Sequence, residues 1–443
     1  MIVPRCLVPL LASVCLASAC SANDSSTAGA GGGGGGQPGG GSGGGAASGG
    51  TFGVGGSGGG GLGDGGSSLP ARAHLRGRVV APEGTIPISG ALVYLASSPP
   101  APIPEQVFCD RCVALEEGTA YAFTSADGTF DLGTPYVGSL QLVVQKGQFR
   151  RVRPIEVVDG DQNVPAEFTR LPGRTDKANG DDIPRMAVLD GQWDEIEVTL
   201  AKLGMGTVQA GFPAPTVTNA SFDVRGSGLG QLPREPFLTD PSVLGRYHIV
   251  FVPCSGSYDE PRCDDTTSLR PEVQANLRDW VARGGKLYVT DYSYEFVRQL
   301  WPEYVTWQGQ TSTIGSACLG GAWSGAATSG DPGLEAWMGA QGLVPFEVRD
   351  SWTIIDAVHP VNTVDVDGNP ATITPKVWVS AATAGAGSKP TTVSFERGCG
   401  RVLFSTYHTE ASLTPVTQLL PQERALLYVL LEVGVCVAPP EVR

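Results

Sequence analysis

Four polar residues have the types that hydrolytic chemistry requires, and they follow two apolar runs of the chain. Asp291 and Ser293 come after the run 286–290, and His408 and Glu410 come after the run 401–405. A carboxylate or hydroxyl beside a histidine base can act as a nucleophile, and a glutamate can orient that histidine. The competing interpretation is structural: Asp291 caps a helix over residues 292–299, and His408 is a hydrogen-bonded residue of the interior.

The elements that must position these residues are strands alternating with helices over residues 183–438. Apolar runs that predict buried strands occur at 186–189, 248–253, 286–290 and 401–405. Helical patterns occur at 193–203, 271–283 and 421–433. This alternation predicts an α/β domain with a doubly wound, largely parallel sheet of flavodoxin-like type, in which the residues that follow the strands share one edge. We therefore expect residues 254–257, 291–294 and 407–410 to converge.

Two motifs of this region resemble the class I glutamine amidotransferase-like fold: Trp280-Val281-x-x-Gly284-Gly285-Lys286-Leu287 and Phe404-x-x-Tyr407-His408-Thr409-Glu410. The resemblance implies a sharp strand-to-helix turn at position 291 and a His-x-Glu pair at 408 and 410. That family carries a nucleophilic cysteine at the turn, whereas this chain has Asp291. Glutaminase activity is therefore not expected, and we interpret Cys254 as a disulfide partner rather than a displaced nucleophile.

Residues 71–172 have a different pattern, with short runs that alternate between apolar and polar residues and are separated by turn residues. This pattern predicts a small antiparallel β-sandwich. Three of its segments, Gly77-Arg78-Val79, Ile88-Ser89-Gly90-Ala91-Leu92-Val93 and Thr124-x-x-Asp127-Gly128-x-Phe130, resemble the carboxypeptidase regulatory-like domain. The resemblance implies a transthyretin-type module for binding or spacing, without catalytic residues. Residues 173–182 are predicted as the linker to the α/β domain.

The chain begins with an apolar stretch that ends in Leu16-Ala17-Ser18-Ala19-Cys20. This segment resembles a bacterial lipoprotein signal, which implies removal of residues 1–19 and acylation of Cys20 with fatty acids such as palmitate. Several acyl chains would anchor the protein in a lipid bilayer. Residues 20–70 are rich in glycine and serine and are predicted to be a disordered tether. By the same resemblance, Ser21 implies an outer-membrane lipoprotein of the cell envelope, periplasmic or surface-exposed.

The cysteines of an exported chain are expected to form disulfides. The candidate pairs are Cys109–Cys112, Cys254–Cys263 and Cys399–Cys436, which leave Cys318 over. A second C-x-x-C motif is absent from the sequence, so no metal and no other cofactor is predicted.

The net charge of −14 at pH 7 argues against nucleic-acid binding. Tryptophans can line a sugar site because their faces stack on sugar rings, and the candidates are Trp301, Trp307, Trp323 and Trp352. The sequence thus predicts a non-catalytic envelope lipoprotein that binds a glycan or a protein partner. The alternative is a hydrolase that uses Asp291 or Ser293 with His408 and Glu410.

Overall fold

The computed structural model describes residues 69–110, 112–191, 193–211, 215–226, 231–233, 236–255, 269–383, 385, 387–409 and 419–431. The predicted signal segment, Cys20, residues 21–68 of the predicted tether, Cys263, Glu410 and Cys436 lie outside these residues. All of the described residues belong to one structural unit, residues 49–443. Among the described helices, none combines the length and the hydropathy that a bilayer-crossing segment needs.

The first part of the unit is a sandwich of two sheets. Its elements are β1 (Ala73–Arg78), β2 (Leu92–Ala96), β3 (Tyr121–Phe123), β4 (Thr129–Thr134), β5 (Gly138–Lys146), β6 (Phe149–Val157), β7 (Gly160–Asn163), α1 (Ala166–Thr169) and β8 (Asp181–Asp182). The strand orders are β4-β1-β7 and β3-β2-β5-β6-β8, and every pair except the parallel β1–β7 is antiparallel. Alternate residues of β4 are buried, as expected of a strand with one face on a core.

The segment predicted as a linker, residues 173–182, is part of the sandwich. Asp181 and Asp182 form β8, which pairs with β6. Their carboxylates form ion pairs with Arg151 and Arg150, at 2.7 and 2.9 Å. Because both pairs are largely buried, each charge needs its partner, and this fixes the segment against the sheet.

The rest of the unit is built around a nine-stranded sheet with smaller two-stranded ribbons beside it. The strands are β9 (Met186–Leu189), β10 (Thr207–Gln209), β11 (Thr216–Thr218), β12 (Asp223–Arg225), β13 (Ile249–Val252), β14 (Lys286–Thr290), β15 (Val305–Trp307), β16 (Trp323–Ser329), β17 (Phe346–Ser351), β18 (Ile355–Val358), β19 (Val361–Val364), β20 (Pro370–Ile373), β21 (Lys376–Thr383), β22 (Gly387–Arg397) and β23 (Gly400–Ser405). The α-helices are α2 (Ile196–Leu200), α3 (Pro241–Leu244), α4 (Pro271–Ala282), α5 (Glu295–Arg298), α6 (Pro332–Ala340) and α7 (Pro421–Leu431).

The prediction of a doubly wound, largely parallel sheet of flavodoxin-like type is wrong. The strand order is β12-β9-β13-β14-β23-β22-β21-β16-β17, and only the first five strands are parallel to one another. The last four extend the sheet in antiparallel fashion. Parallel strands covered on both faces read as continuous apolar runs, whereas β16 alternates half-buried and exposed small residues. The apolar runs therefore revealed only the parallel half of the sheet.

Helices cover both faces of the parallel half. On one face, α4 buries Val273, Leu277 and Trp280 in a core with β13, β14 and β23. On the other face, α2 and α7 pack in a core that continues into the sandwich. The indole N–H of Trp337 in α6 donates to the carbonyl of Pro87, at 2.7 Å, which ties α6 to the sandwich within this second core. This packing holds the carboxyl ends of the parallel strands in fixed positions.

A disulfide between Cys109 and Cys399 joins the loop after β2 to the turn between β22 and β23, across 290 residues. The predicted pairs Cys109–Cys112 and Cys399–Cys436 are therefore wrong. Cys254 is a buried free thiol, so its predicted pairing with Cys263 is also wrong. Cys112 and Cys318 are disulfide-bonded, so Cys318 is not left over. Connectivity depends on distance in space, here 5.1 Å between Cα atoms, which spacing along the chain does not report.

The same loop packs directly on the turn between α4 and β14. Gly284 at this turn has φ of 121°, and a Cβ atom there would collide with the carbonyl oxygen of Phe108. Glycine is required at this position both for its backbone conformation and for the close approach of the loop.

Candidate functional site

The candidate site lies where β13, β14 and β23 end, because these neighbouring parallel strands have their carboxyl ends at one edge. Asp291 is the first residue after β14 and begins a 3-10 turn, Asp291–Tyr294, that leads into α5. Its φ of 45° lies in the left-handed region, which a residue other than glycine seldom occupies. Such strain at a strand-to-helix turn is typical of functional positions.

The carboxylate of Asp291 is fully buried and is bound by a neighbouring segment of chain. It accepts hydrogen bonds from the backbone N–H of Trp352, at 3.0 and 3.1 Å, and from the hydroxyl of Thr353, at 3.0 Å. Burial raises the pKa of Asp291 to about 6, against the opposing effect of His408. Asp291 is thus not the helix N-cap that the structural interpretation predicts, since its carboxylate holds residues 352 and 353 instead.

His408 lies beside Asp291 on the adjacent strand end, with Nε2 at 3.3 Å from Oδ2. The residue is 8% exposed, and its Nε2 atom is buried and makes no hydrogen bond of normal geometry. Burial by itself lowers the pKa of His408, but the nearby Asp291 and Cys254 outweigh that effect and raise it well above its ordinary value. An imidazolium paired with a carboxylate is the state that these contacts favour.

Cys254 is the third member of the cluster, and sequence reasoning assigned it to a disulfide. Its sulfur, a carboxylate oxygen of Asp291 and a ring nitrogen of His408 all lie within 4.8 Å of one another. Burial raises the pKa of the thiol to about 11, so it stays protonated at neutral pH. The backbone N–H of Cys254 donates to the hydroxyl of Thr290, at 2.8 Å. Its place directly after β13 was the sequence signal that could have brought it into the site.

A second buried carboxylate, Asp194, ties the same strand ends together, and sequence reasoning missed it. It follows β9 and accepts a hydrogen bond from the hydroxyl of Thr290, at 2.6 Å. Its other oxygen accepts from the backbone N–H of Thr409, at 2.9 Å, and from the Thr409 hydroxyl. Because Thr290 precedes Asp291 and Thr409 follows His408, Asp194 fixes the backbone on both sides of the cluster.

The other two predicted site residues are not seen in the cluster. The hydroxyl of Ser293 is buried and donates to the carbonyl of Pro253, at 2.7 Å, so its proton is engaged there and not by His408. Glu410 lies outside the described residues. Of the predicted hydrolase residues, the structure brings together Asp291 and His408.

Three aromatic rings, here called the aromatic row, stand next to the cluster. Trp193 contacts Tyr292 and Tyr292 contacts Trp352 in edge-to-face fashion, with ring centroids 5.9 and 5.7 Å apart. Each of the three is tied to the cluster through the backbone. The N–H of Trp193 donates to the carbonyl of Cys254, at 3.3 Å, Tyr292 follows Asp291 in sequence, and the N–H of Trp352 donates to Asp291.

Only one of the four tryptophans proposed from the sequence for a sugar site belongs to the aromatic row. Trp301 and Trp307 are buried core residues. Trp323 is half-buried, and its indole N–H donates to the carbonyl of Thr353. Trp352 lies in the row, and Trp193, which the sequence places on a helical face, is 46% exposed beside it.

No family model and no curated protein matches this chain. Among solved structures, the chain is similar to a ThuA-like protein from Bacteroides uniformis, with 10% identity, 55% of this chain and 90% of that chain covered, and a TM-score of 0.33. It is also similar to the cytoplasmic protein STM3548 from Salmonella typhimurium, with 8% identity, coverage of 56% and 98%, and a TM-score of 0.31.

A third similarity is to the cold-adapted β-galactosidase from Rahnella, with 12% identity, 57% of this chain covered and a TM-score of 0.29. This chain spans only 32% of that enzyme's length, and 30% of the length of a second β-galactosidase, Gan42B. Similarities at these scores do not establish a shared fold or activity.

Proposed function

We propose that the protein is a membrane-anchored envelope lipoprotein that binds a saccharide at the aromatic row and does not itself hydrolyse it. The observation that carries this proposal is the attachment of all three rings, through their backbones, to the buried Cys254, Asp291 and His408 cluster. Rings that are already held in place lose little conformational entropy when a ligand stacks on them.

The chemistry of the row suits a sugar ring. The apolar face of a pyranose packs on indole and phenol rings, and its hydroxyl groups need polar neighbours at the edge. Trp193 leaves about half of its surface in solvent, with an exposed fraction of 46%. The hydroxyl of Tyr292 donates to the carbonyl of Leu319, and the next residues are Gly320 and Gly321, where an added Cβ would meet no atom within 4 Å. The loop next to Tyr292 is therefore open to solvent at these two positions.

The buried cluster beneath the row is poorly suited to attack a substrate on its own. Asp291 is fully buried, and both of its oxygens accept hydrogen bonds. Cys254 is a protonated thiol at neutral pH. We therefore assign the cluster a supporting role, in which it fixes the backbones of the three aromatic residues.

The anchor is the second part of the proposal. Acylation of Cys20 would hold the protein at a bilayer, and the glycine-rich segment 20–70 would separate the folded unit from the membrane surface. Labelling cells with radioactive palmitate tests this part. We expect label in the wild-type chain and none in Cys20→Ser, with the wild type recovered in the membrane fraction. Equal labelling of both proteins would contradict the anchor.

Binding is tested with the full chain in detergent on a glycan array, followed by calorimetry with the best ligand. Trp193→Ala should weaken binding about two- to tenfold, because the loss of one stacking ring removes about 0.5–1.5 kcal/mol. The matched control is Tyr136→Ala, which removes an exposed ring, 44% accessible, from the sandwich and should leave binding unchanged. Equal affinity of Trp193→Ala and wild type would contradict a saccharide site at the row.

The alternative function, a hydrolase, is favoured by one observation: a strained Asp291 at 3.3 Å from His408. A carboxylate in such a pair could attack an activated ester or orient a water molecule. A screen of esters, amides and glycosides with wild type and Asp291→Asn tests it. Turnover by the wild type that is lost in Asp291→Asn would replace the binding proposal with the hydrolase.

A further inference from the structure

The thiol, carboxylate and imidazole of the buried cluster are donor types that bind transition metals. The ligand atoms of Cys254, Asp291 and His408 lie within 4.8 Å of one another, and the three residues are 1%, 0% and 8% exposed. In a tetrahedral zinc site, ligand atoms at about 2.0–2.3 Å from the metal are about 3.3–3.8 Å apart. The Nε2 to Oδ2 distance of 3.3 Å between His408 and Asp291 already has this value.

A second, independent observation points to a missing ligand. The Nε2 atom of His408 is buried and makes no hydrogen bond of normal geometry, although Oδ2 of Asp291 lies 3.3 Å away. Buried polar atoms nearly always make a well-formed hydrogen bond, and a metal ion would supply this nitrogen with the directed bond that it lacks. The atom faces the carboxylate of Asp291 and is not turned towards solvent. This nitrogen therefore lies where a metal would bind.

We propose that Cys254, Asp291 and His408 form a binding site for a divalent transition metal of the zinc class. One sulfur, one nitrogen and one oxygen donor make a ligand set of intermediate softness, which Zn²⁺ and Co²⁺ bind well. Ca²⁺ and Mg²⁺ prefer sites in which all ligands are oxygen atoms. Three protein ligands leave a fourth position for water or another ligand, as in zinc sites that are open to chemistry. The metal would also compensate the thiolate and carboxylate charges in the interior.

The surroundings fix the three ligands as a metal site requires. Asp291 is held by the N–H of Trp352 and the hydroxyl of Thr353, and the backbone of Cys254 is held by Thr290. The carbonyl of His408 accepts from the side-chain amide of Gln422, at 2.8 Å. Hydrogen bonds of this kind orient ligands and raise metal affinity about 10–100-fold.

The state of the cysteines agrees with this assignment. Among the described cysteines, Cys109, Cys112, Cys318 and Cys399 are disulfide-bonded and Cys254 is free. A cysteine that stays reduced while the other described cysteines form disulfides is available as a metal ligand.

The test uses the full chain in detergent, stripped of metal with a chelator and then titrated with Co²⁺. We expect one Co²⁺ per chain, with a thiolate-to-cobalt charge-transfer band in the near ultraviolet and the visible bands of a tetrahedral ion. Zn²⁺ should displace the Co²⁺ and remove both the charge-transfer band and the visible bands. The absence of stoichiometric binding by the folded wild type would overturn the proposal without any variant.

Variants assign the ligands. Cys254→Ser should abolish the charge-transfer band, and His408→Gln and Asp291→Asn should each weaken Co²⁺ binding at least about tenfold. The matched control is Asp356→Asn, an exposed carboxylate paired with Lys389, which should bind as the wild type does. A charge-transfer band that persists in Cys254→Ser would place the metal elsewhere and contradict this site.

Thermal unfolding with and without Zn²⁺ gives a second measurement of metal binding to the folded protein. A ligand that binds only the folded chain stabilises it by about 2.7 kcal/mol when its concentration is about 100 times the dissociation constant. Zn²⁺ should therefore raise the thermal midpoint of the wild type but not that of Cys254→Ser. Saccharide binding is measured separately on metal-free protein with Trp193→Ala. Failure of the metal site and failure of the saccharide site are therefore distinguishable.

Discussion

The imidazole of His408 lies 3.3 Å from the carboxylate of Asp291, across two adjacent parallel strands and inside the protein. Each residue lies within a few positions of the end of its strand. Hydrogen bonds with other segments of the chain hold both residues in place. Charge in a buried site is stable only when it is paired. This pair is the source of the first two predictions.

Asp291→Asn should destabilise the metal-free protein by about 3 kcal/mol, because it leaves a buried imidazole without its counter-charge. Asparagine accepts the left-handed conformation at φ of 45°, so the backbone should be preserved, and the loss combines the missing charge with the loss of one acceptor for the N–H of Trp352. Urea unfolding followed by fluorescence measures the change. Asp356→Asn, which breaks an ion pair with an exposed carboxylate, serves as the control and should cost less than about 1 kcal/mol. Equal effects of the two variants would contradict the role given to the buried pair.

The stability of the metal-free protein should fall as the pH rises through the range set by this pair. Asp291 has a pKa raised to about 6, and that of His408 is raised well above its ordinary value, so the folded state binds more protons than the unfolded state. The Asp291 contribution to the unfolding free energy is lost between about pH 4 and pH 6 and amounts to about 3 kcal/mol. The His408 contribution is present below its unfolded pKa and is lost as the pH passes its folded pKa.

The predicted fall in stability is checked by measuring the free energy of unfolding across this pH range. The two proteins compared are the wild type and the double variant Asp291→Asn with His408→Gln. The double variant should have a flatter profile. Parallel profiles for the two proteins would show that other groups cause the pH dependence.

The disulfide between Cys109 and Cys399 should contribute about 3–5 kcal/mol, since it closes a segment of 290 residues in the unfolded chain. We expect Cys109→Ala with Cys399→Ala to lower the urea midpoint accordingly. Tyr136→Ala, an exposed substitution in the sandwich, is the control. Wild-type stability of the double alanine variant would mean that this crosslink does not constrain the unfolded state.

The buried ion pair of the sandwich should contribute more to the free energy of unfolding than an exposed ion pair of similar geometry. Asp181 accepts from Arg151 and Arg153, and although burial opposes ionisation, these contacts lower its pKa. Asp181→Asn should cost on the order of 3 kcal/mol at pH 7, and the loss should shrink as the pH falls below about 4. The comparison is Asp159→Asn, whose partner Arg72 is also exposed and whose cost should be below about 1 kcal/mol. A larger effect at Asp159 would contradict the importance of burial.

The local elements of the parallel half could be predicted from the sequence. The run 286–290 is β14, the run 401–405 is all but the first residue of β23, and the helical pattern at 271–283 is α4 with one residue more. Between β19 and β20, residues 365–369 form a turn whose Asp-Gly-Asn sequence is typical of such turns. Each of these depends on periodicity, propensity or turn chemistry within a short stretch of chain.

The sequence by itself thus determined several buried strands and helices of the parallel half, and it predicted that Asp291 and His408 lie at one edge of a sheet. The tertiary structure decided the antiparallel half of that sheet, the pairing of Cys109 with Cys399, and the addition of Cys254 and Asp194 to the site. These features depend on contacts between residues far apart in sequence, where no local pattern specifies the partner. Cys254 is the clearest case, because its spacing to Cys263 suggested a disulfide, whereas its place at the end of β13 put its thiol beside Asp291 and His408.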